Sequence, residues 1–462
     1  MTTATDTMGQ VHEVLDPLEH NHIISTEECD DLCGKIAEFL QTVRAEGMPT
    51  DEAYWQAFQY TFDFARTTPV VTPMNAANLC PEPRALLDAA NTLRVAYNRN
   101  VAQQTRMAGG ERVIQIERAR LALALGIGLT NSSDLAIVRN ASEGNNAISC
   151  GYRNWDRTTG PANRENVVLW SENHPTNLEA WRLRAQWEST DPPLFDVVVV
   201  PFQPAWSDDR IADEFIDRIG ERTRFVSFSD TANSTGFRMP ATVIDRIWQH
   251  VQVHRPNCHV HIDGTMAWGA RAIDLSNPRC HSFVSSAHKW FLGPKETGIL
   301  YVHPDKARHF APGIFAYNYK IEIGPWPDMP GNALRFELIG QRDDVNIITL
   351  ELTQMMWQAL APRQPYQRVA FLAQYLKDRL QQTPGRWPLV TPASPSRSLG
   401  VVRIEAPQGN RMKSLYHWLY DERRIAGSGD DRTFRLCPHI YNTRGDIDNA
   451  VAGMNAWFEG RP

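Results

Sequence analysis

NCHVHIDGTMAWGARAIDLSNPRCHSFVSSAHKWFLGPKETGILYV, residues 257–302, contains three short runs, NCHVHID, HSFVSSAHKW and TGILYV, set apart by glycine, proline and polar residues. Toward the N-terminus, DLAIVRN, NVVLWS, FDVVVVPF and RFVSFSD repeat the pattern with helical segments between them. Several runs are rich in Val and Ile and apolar throughout, which is how strands read when helices cover both faces of a parallel sheet. Strands that alternate with helices predict an α/β domain, here a three-layer sandwich with a mostly parallel sheet.

The flanks read differently. Residues 1–70 carry helical periodicity, as in CDDLCGKIAEFLQTVRAEG, without a chemical motif, and are expected to form a helical N-terminal extension. TPVVTPMNAANLCPEP marks an extended entry, followed by the helical stretches RALLDAANTLRVAYNRNV and ERVIQIERARLALALGI, the second ending near Gly126 and Gly128. Beyond PDMPGNALRFELIGQRDDVNIITL lie long helical stretches and a Pro and Ser-rich break, PGRWPLVTPASPSRS. A strand (LGVVRIE), a helix (GNRMKSLYHWLYDER), a strand (TFRLCPHIY) and a last helix then predict a smaller α+β C-terminal domain. The expected division is 1–70 extension, 71–345 large domain, 346–462 small domain; a chain of 462 residues is long enough for it.

Composition narrows the class of function. Hydrophobic residues at 42% and charged residues at 22% are ordinary globular values, so disorder does not dominate. A net charge of −6 and a pI near 6.2 offer no basic surface for a phosphate backbone, which argues against nucleic acid and for a small metabolite. No apolar run approaches the roughly 20 residues that span a bilayer, and MTTATDTMGQ lacks the regions of a signal peptide, so a cytoplasmic protein without a membrane partner is expected. Seven scattered cysteines predict reduced thiols. Cys29 and Cys33, four apart on a helical stretch, read as ordinary helix residues. His254, Cys258, His259 and His261 are competent zinc ligands. Strand alternation, however, sends His259 and His261 to one face and Cys258 and Val260 to the other, so no metal site is expected.

Three residues carry chemistry. Lys289 leaves a buried strand just before a Gly-Pro turn, where desolvating its ammonium is costly. Burial lowers a lysine's pKa and frees its amine to attack an aldehyde, as a Schiff-base lysine must. Asp263 ends another strand, where a buried carboxyl can pair with a protonated pyridine nitrogen and keep the ring an electron acceptor. Ser142, in IVRNASEGNNAI, sits where a strand runs into a helix, and helix-start N–H groups with a hydroxyl suit a phosphate dianion. Each has a plainer reading, as a loop lysine, a turn aspartate and a helix cap. Their combination and order are unusual.

In that order these residues resemble the class V aminotransferase family of fold type I pyridoxal phosphate enzymes, in the branch of isopenicillin N epimerase and the cysteine desulfurases. The similarity runs from about Val71 to the end. The resemblance implies pyridoxal 5'-phosphate as cofactor, an amino-acid substrate, and a homodimer with its site at the subunit interface. From NASEGNN it implies Ala141 and Ser142 as phosphate contacts, and from NHPTNLEAW it implies His174 on the pyridine face. Asn233, in SDTANSTGFRMP, matches the partner of the phenolic oxygen, and Asp263 that of the pyridine nitrogen. Ser286 and His288 match phosphate ligands before the Schiff-base Lys289. RFELIGQRDD resembles a loop reaching the neighbouring subunit's phosphate, through Gln341 and Arg342. Arg435, in FRLCPHIYNT, matches the substrate-carboxylate arginine, whose planar fork suits two parallel hydrogen bonds. Asn78, in NAANLCP, is expected near the substrate.

One departure bears on the reaction. A persulfide-forming cysteine desulfurase needs a mobile loop cysteine; RRIAGSGDDRTFR has none, and Cys437 falls inside a predicted strand. That disfavours desulfuration through an enzyme persulfide. GPKETGILYV and GQRDD resemble the isopenicillin N epimerase-like group, which includes carbon-sulfur lyases, and that resemblance implies carbon-sulfur β-elimination from a cysteine S-conjugate or similar modified amino acid in specialised metabolism. Decarboxylating deamination, epimerisation and transamination are the alternatives. A non-catalytic protein keeping the fold for binding would be expected to have lost Lys289 or Asp263, and both are present.

Overall fold

The computed structural model describes residues 4–103, 111–156, 163–187, 193–314, 331–337, 339–383, 385–405 and 412–460. All seven runs read from the sequence are strands of one sheet. They are β1 (Leu135–Val138), β2 (Asn166–Trp170), β3 (Asp196–Val200), β4 (Thr223–Ser229), β5 (His259–Asp263), β6 (Ser282–Ser286) and β7 (Gly298–Val302). Their spatial order is β1-β7-β6-β5-β4-β2-β3. All neighbours are parallel except around β7, which runs against both β6 and β1. The carboxyl ends of β1, β2, β4, β5 and β6 therefore open at one edge of the sheet.

Alternation divides each strand between two cores. Val260 and Ile262 of β5, Val226 and Phe228 of β4, and Phe283 of β6 join a large cluster on one face. Phe225, Val284 and Leu300 join a second on the other, beneath α6 (Ala141–Gly151) and α7 (Pro175–Trp187). His259, His261 and Asp263 share the face opposite to Val260 and Ile262, as the alternation predicts. A polar row thus runs through a buried layer, and every member needs a partner.

The N-terminal residues are part of this body. Helices α1 (Ala4–His20) and α2 (Thr26–Arg44) form a hairpin whose Val11, Leu15, Ile36 and Leu40 lie in the large cluster. Around them pack α4 (Arg84–Arg99) and α10 (Asp344–Leu360). Although it falls on the small-domain side of the division drawn from sequence, α10 supplies Val345, Ile348, Leu352 and Met356 to the large core. A helix apolar on nearly its whole circumference must be covered on all sides.

A third core belongs to the C-terminal unit. It holds Leu372, Leu376 and Leu380 of α11 (Pro365–Gln381), Leu415 and Leu419 of α12 (Met412–Arg423), and Val451 and Met454 of α13 (Arg444–Phe458). These pack on β8 (Val402–Glu405) and β9 (Thr433–Leu436), an antiparallel pair. Residues 409–411, the start of the helix expected over GNRMKSLYHWLYDER, lie outside the described residues. The entry segment is stitched to this unit. Thr72 and Pro73 pair in parallel with Ile425 and Ala426, and Asn75 bridges Cys437. That pairing sets Asn75 beside Arg435. No helix of the described residues is long and apolar enough to cross a membrane.

Candidate active site

Five chain segments leave the sheet at the same edge and enclose a cavity of about 200 Å³. Ligands of open parallel sheets bind in such a crevice, outside the carboxyl ends of the strands. Of the residues expected from sequence, Ala141, Ser142, His174, Asn233, Asp263, Ser286, His288 and Lys289 line it.

Lys289 is held by the turn after β6, where the Leu292 N–H donates to the Lys289 carbonyl at 3.1 Å and the Gly293 N–H to Ala287 at 2.9 Å. Trp290, fully buried, anchors the turn; its carbonyl lies 2.6 Å from His439 Nε2. Gly269, at φ +90°, lets a second loop come close, since a Cβ there would stand 2.1 Å from the Trp290 carbonyl. Burial pushes the Lys289 amine down to about 8, Arg435 adds to the effect, and Asp263 opposes it.

At the other end of the cavity both Asp263 oxygens are engaged. Oδ1 accepts from the Thr265 N–H at 3.0 Å, and Oδ2 from Asn145 Nδ2 at 3.0 Å. The second bond begins a chain with a fixed direction. Because Asn145 spends its amide hydrogen on Asp263, its Oδ1 faces His261 Nε2, 2.8 Å away, and must accept from it. His261, whose pKa burial lowers to about 4, is neutral, so its Nδ1 accepts from the Ser282 hydroxyl at 2.7 Å. Ser282 in turn accepts from His259 Nε2 at 2.7 Å. The polar row of β5 is thereby satisfied and the Asp263 carboxyl is oriented. Neither Asn145 nor His261 was singled out for this role from sequence, although His261 lies two residues before Asp263 on the same strand face.

Asn145→Ala is expected to strand the His261 N–H in a buried layer, costing about 1–3 kcal/mol of stability, and to weaken cofactor binding. Chemical denaturation of the cofactor-loaded protein and a cofactor titration measure both. Unchanged values would mean that Asp263 is oriented without Asn145.

His174 immediately precedes α7, and its Nδ1 receives the Thr176 N–H at 3.3 Å and lies 2.9 Å from the Thr176 hydroxyl. An accepting Nδ1 places the ring proton on Nε2. Burial, with Lys289 and Arg435 nearby, lowers the His174 pKa against the pull of Asp263, so the ring is neutral.

The opposite wall is the start of α6. Asn140 caps it by accepting the Glu143 N–H at 2.9 Å, and the Ala141 N–H donates to Ser286 Oγ at 2.8 Å. Ala141 and Ser286 therefore brace each other, and Ser142 is the helix-start residue left at the cavity wall. This close approach depends on Gly298, where a Cβ would come within 3.3 Å of the Asn140 Cα. His288, lowered to about 4 by burial and by Lys289, adds a neutral imidazole.

Arg435 stands behind Asn233. One of its nitrogens donates to Asn233 Oδ1 and another to Asn75 Oδ1 at 3.0 Å. With its oxygen held, the Asn233 amide can only donate to the cavity. No carboxylate pairs with Arg435 among the described residues, and its Nε, like the Thr265 hydroxyl on the cavity wall, is buried without a partner. One expectation changes here. Asn78 is exposed and does not reach the cavity; Asn75, three residues earlier, touches Arg435 because the entry segment pairs with the small domain. Gln341 is exposed, and Arg342 donates to the Ile137 carbonyl of its own chain at 2.5 Å, so neither lines this cavity.

The donors and acceptors fit pyridoxal 5'-phosphate. Lys289 would take the aldehyde and Asp263 the ring nitrogen. A helix start with Ser142 and His288 suits the phosphate, and orphaned donors await oxygens.

Residues 75–426 match the family model described as Aminotransferase class-V. The isopenicillin N epimerase of Amycolatopsis lactamdurans is 25% identical over 411 residues, 84% of this chain and 95% of the relative. The cysteine desulfurase of Synechococcus elongatus is 26% identical over 234 residues, 50% of this chain and 34% of the relative. Among solved structures, a variant of C-DES with glycine covalently linked to its pyridoxal phosphate cofactor superposes with a TM-score of 0.72 at 19% identity. That match covers 86% of this chain and 98% of the other. The cystine C-S lyase C-DES in complex with cysteine persulfide gives 0.68 at 19% identity, covering 84% and 97%. The extent of the family match, with an amine and a carboxyl facing one cavity, establishes that the chain belongs to the class-V aminotransferase family and that its cofactor is pyridoxal 5'-phosphate.

Proposed function

We propose that the protein is a carbon-sulfur β-lyase acting on a cysteine S-conjugate or a similarly modified amino acid. The observation that carries this reading is a cavity with an acid-base lysine and an anion-seeking arginine behind it, but no cysteine among its described lining residues. Cys80 and Cys437 lie near enough to act on Lys289 but are buried and do not line the cavity, and burial raises both thiols. Sulfur is then expected to leave with the product rather than pass to the enzyme. The fold shared with a cystine C-S lyase supports the same reading.

When bound, the cofactor accepts the electron pair left at Cα as a proton departs. Arg435, steadied by Asn75 and Asn233, binds the substrate carboxylate. Asp263 would pair with the ring nitrogen, and His174, a neutral imidazole, would stack on the ring's face. Lys289 takes the Cα proton, the Cβ–S bond breaks with its electron pair on sulfur, and the lysine's proton is available to the departing thiolate. The unsaturated amine released hydrolyses to pyruvate and ammonium. Gln341 and Arg342 are assigned to the phosphate end of a partner subunit's site, in a cytoplasmic homodimer.

Epimerisation is the second reading, favoured by the epimerase relative that aligns over most of this chain. One assay separates them. Incubation with S-substituted cysteines in deuterated water is expected to yield pyruvate and free thiol; Cα exchange without pyruvate would indicate epimerisation, and carbon dioxide a decarboxylating reaction.

A pH dependence follows from the Lys289 environment. Only the neutral amine captures the cofactor, and its midpoint is moved from 10.5 to about 8. In the apoprotein the capture rate is expected to rise with pH, half-maximal near 8, and level off above. Asp263 favours the ammonium, so Asp263→Asn should move the midpoint down. Arg435 disfavours it, so Arg435→Met should move it up. Stopped-flow absorbance reads all three; a wild-type midpoint near 10.5 would contradict the assignment.

A further inference from the structure

The α1–α2 hairpin lies outside the span that matches the family, yet it gathers the densest set of soft ligands away from the cavity. Cys29 and Cys33 stand one turn apart on α2, both without solvent exposure. His12 and Asp16 stand one turn apart on α1, facing them. Ligand atoms of His12, Cys29 and Cys33 all lie within 4.8 Å of one another, as do those of Asp16, Glu19 and Cys29. Asp16 Oδ1 is 3.3 Å from His12 Nδ1, which joins the two sets.

We propose that this hairpin is a zinc-binding clamp, with His12, Cys29, Cys33 and Asp16 as ligands to one divalent cation.

Residue spacing supports it first. Positions i and i+4 on a helix share a face, which is how paired ligands on one helix reach one metal. Two such pairs on antiparallel helices give four ligands converging from two sides. Distance supports it next. Zinc bonds of ~2.0–2.3 Å in a tetrahedron set ligand atoms roughly 3.3–3.8 Å apart, so contraction by about an ångström closes the His12, Cys29 and Cys33 triad, and rotation of Asp16, already beside His12 and Cys29, would bring the fourth ligand. The ligand set is the third support: two sulfurs, an imidazole and a carboxylate select a borderline-soft cation over magnesium or calcium.

The surroundings agree. Asp30 Oδ1 lies 3.8 Å from His12 Nε2, in the place of a carboxylate that orients a metal-bound histidine. Glu19 accepts from the Thr26 hydroxyl at 2.6 Å and is the alternative fourth ligand. Lys35, the cation carried on α2 in this stretch, is spent on Asp31 at 2.6 Å. Zinc binds thiolates, so each cysteine gives up its proton on loading. Loading therefore releases two protons for one cation. The hairpin packs on α4 and α10, so the clamp would lock the two N-terminal helices to each other beside the catalytic body.

The test uses the full chain loaded with its cofactor. Zinc is titrated against a chromophoric chelator, with proton release followed in weak buffer, and cobalt(II) replaces zinc for absorbance. One zinc per chain, two protons released and a sulfur-to-cobalt charge-transfer band are expected. Cys33→Ser should abolish tight binding and the band. His12→Ala, at a partly exposed position that leaves the core intact, should weaken zinc at least tenfold while the cofactor spectrum stays unchanged. Cys150→Ser, remote from the hairpin, should change nothing. Zinc that does not compete with the chelator, or that binds equally well to Cys33→Ser and His12→Ala, would overturn the proposal.

Discussion

Lys289→Ala is expected to lower turnover by at least about 10³-fold, the upper part of the range for losing a positioned proton carrier, while the protein still binds pyridoxal phosphate noncovalently. Both effects have one cause. On the proposed mechanism the Lys289 amine holds the aldehyde between turnovers and moves the Cα proton during them. No second lysine lines the cavity among its described residues. Borohydride should fix the cofactor to the wild-type chain at Lys289 and fail to do so in the variant. Full activity in the variant would remove Lys289 from the mechanism.

Asp263→Asn should cost about 10²–10³-fold in kcat, the scale of removing one preorganised charge partner, with a smaller change in KM because the substrate is anchored elsewhere, at Arg435. An amide does not favour a protonated pyridine nitrogen, so the absorbance of the bound cofactor should also change. This effect should be strongly non-additive with Asn145→Ala, because both act through one hydrogen-bonded carboxyl. Rates and spectra equal to wild type would mean that the ring nitrogen has another partner.

The two residues with the largest expected effects were also the most legible. A lysine at the exit of one apolar strand and an aspartate at the end of another are signals local to a few residues, and strand alternation alone predicts which neighbours share a face with Asp263. The seven strands were legible for the same reason, since burial on both faces leaves a continuous apolar text. Asn75 was not legible. Its position depends on a parallel pairing between the entry segment and residues 425–426, more than 300 positions away. Asn145 was not legible either, because in sequence it is one polar residue of a helix; only the packing of α6 on β5 brings it to Asp263 and His261 at once. The core that α10 joins was not legible for a related reason, since it depends on which surfaces cover the helix.

From the chain alone came the layered α/β architecture, because burial, periodicity and strand ends are properties of short stretches, and the cofactor, through the resemblance to the class V aminotransferases. Tertiary structure alone decided which hydrogen bonds orient those partners and which asparagine steadies Arg435. It likewise decided that Ala141 braces Ser286 and that two cysteines on one helix meet a histidine and a carboxylate on another. Hydrogen bonds and ligand clusters act over a few ångströms, and the segments they join are distant in sequence until the fold brings them together.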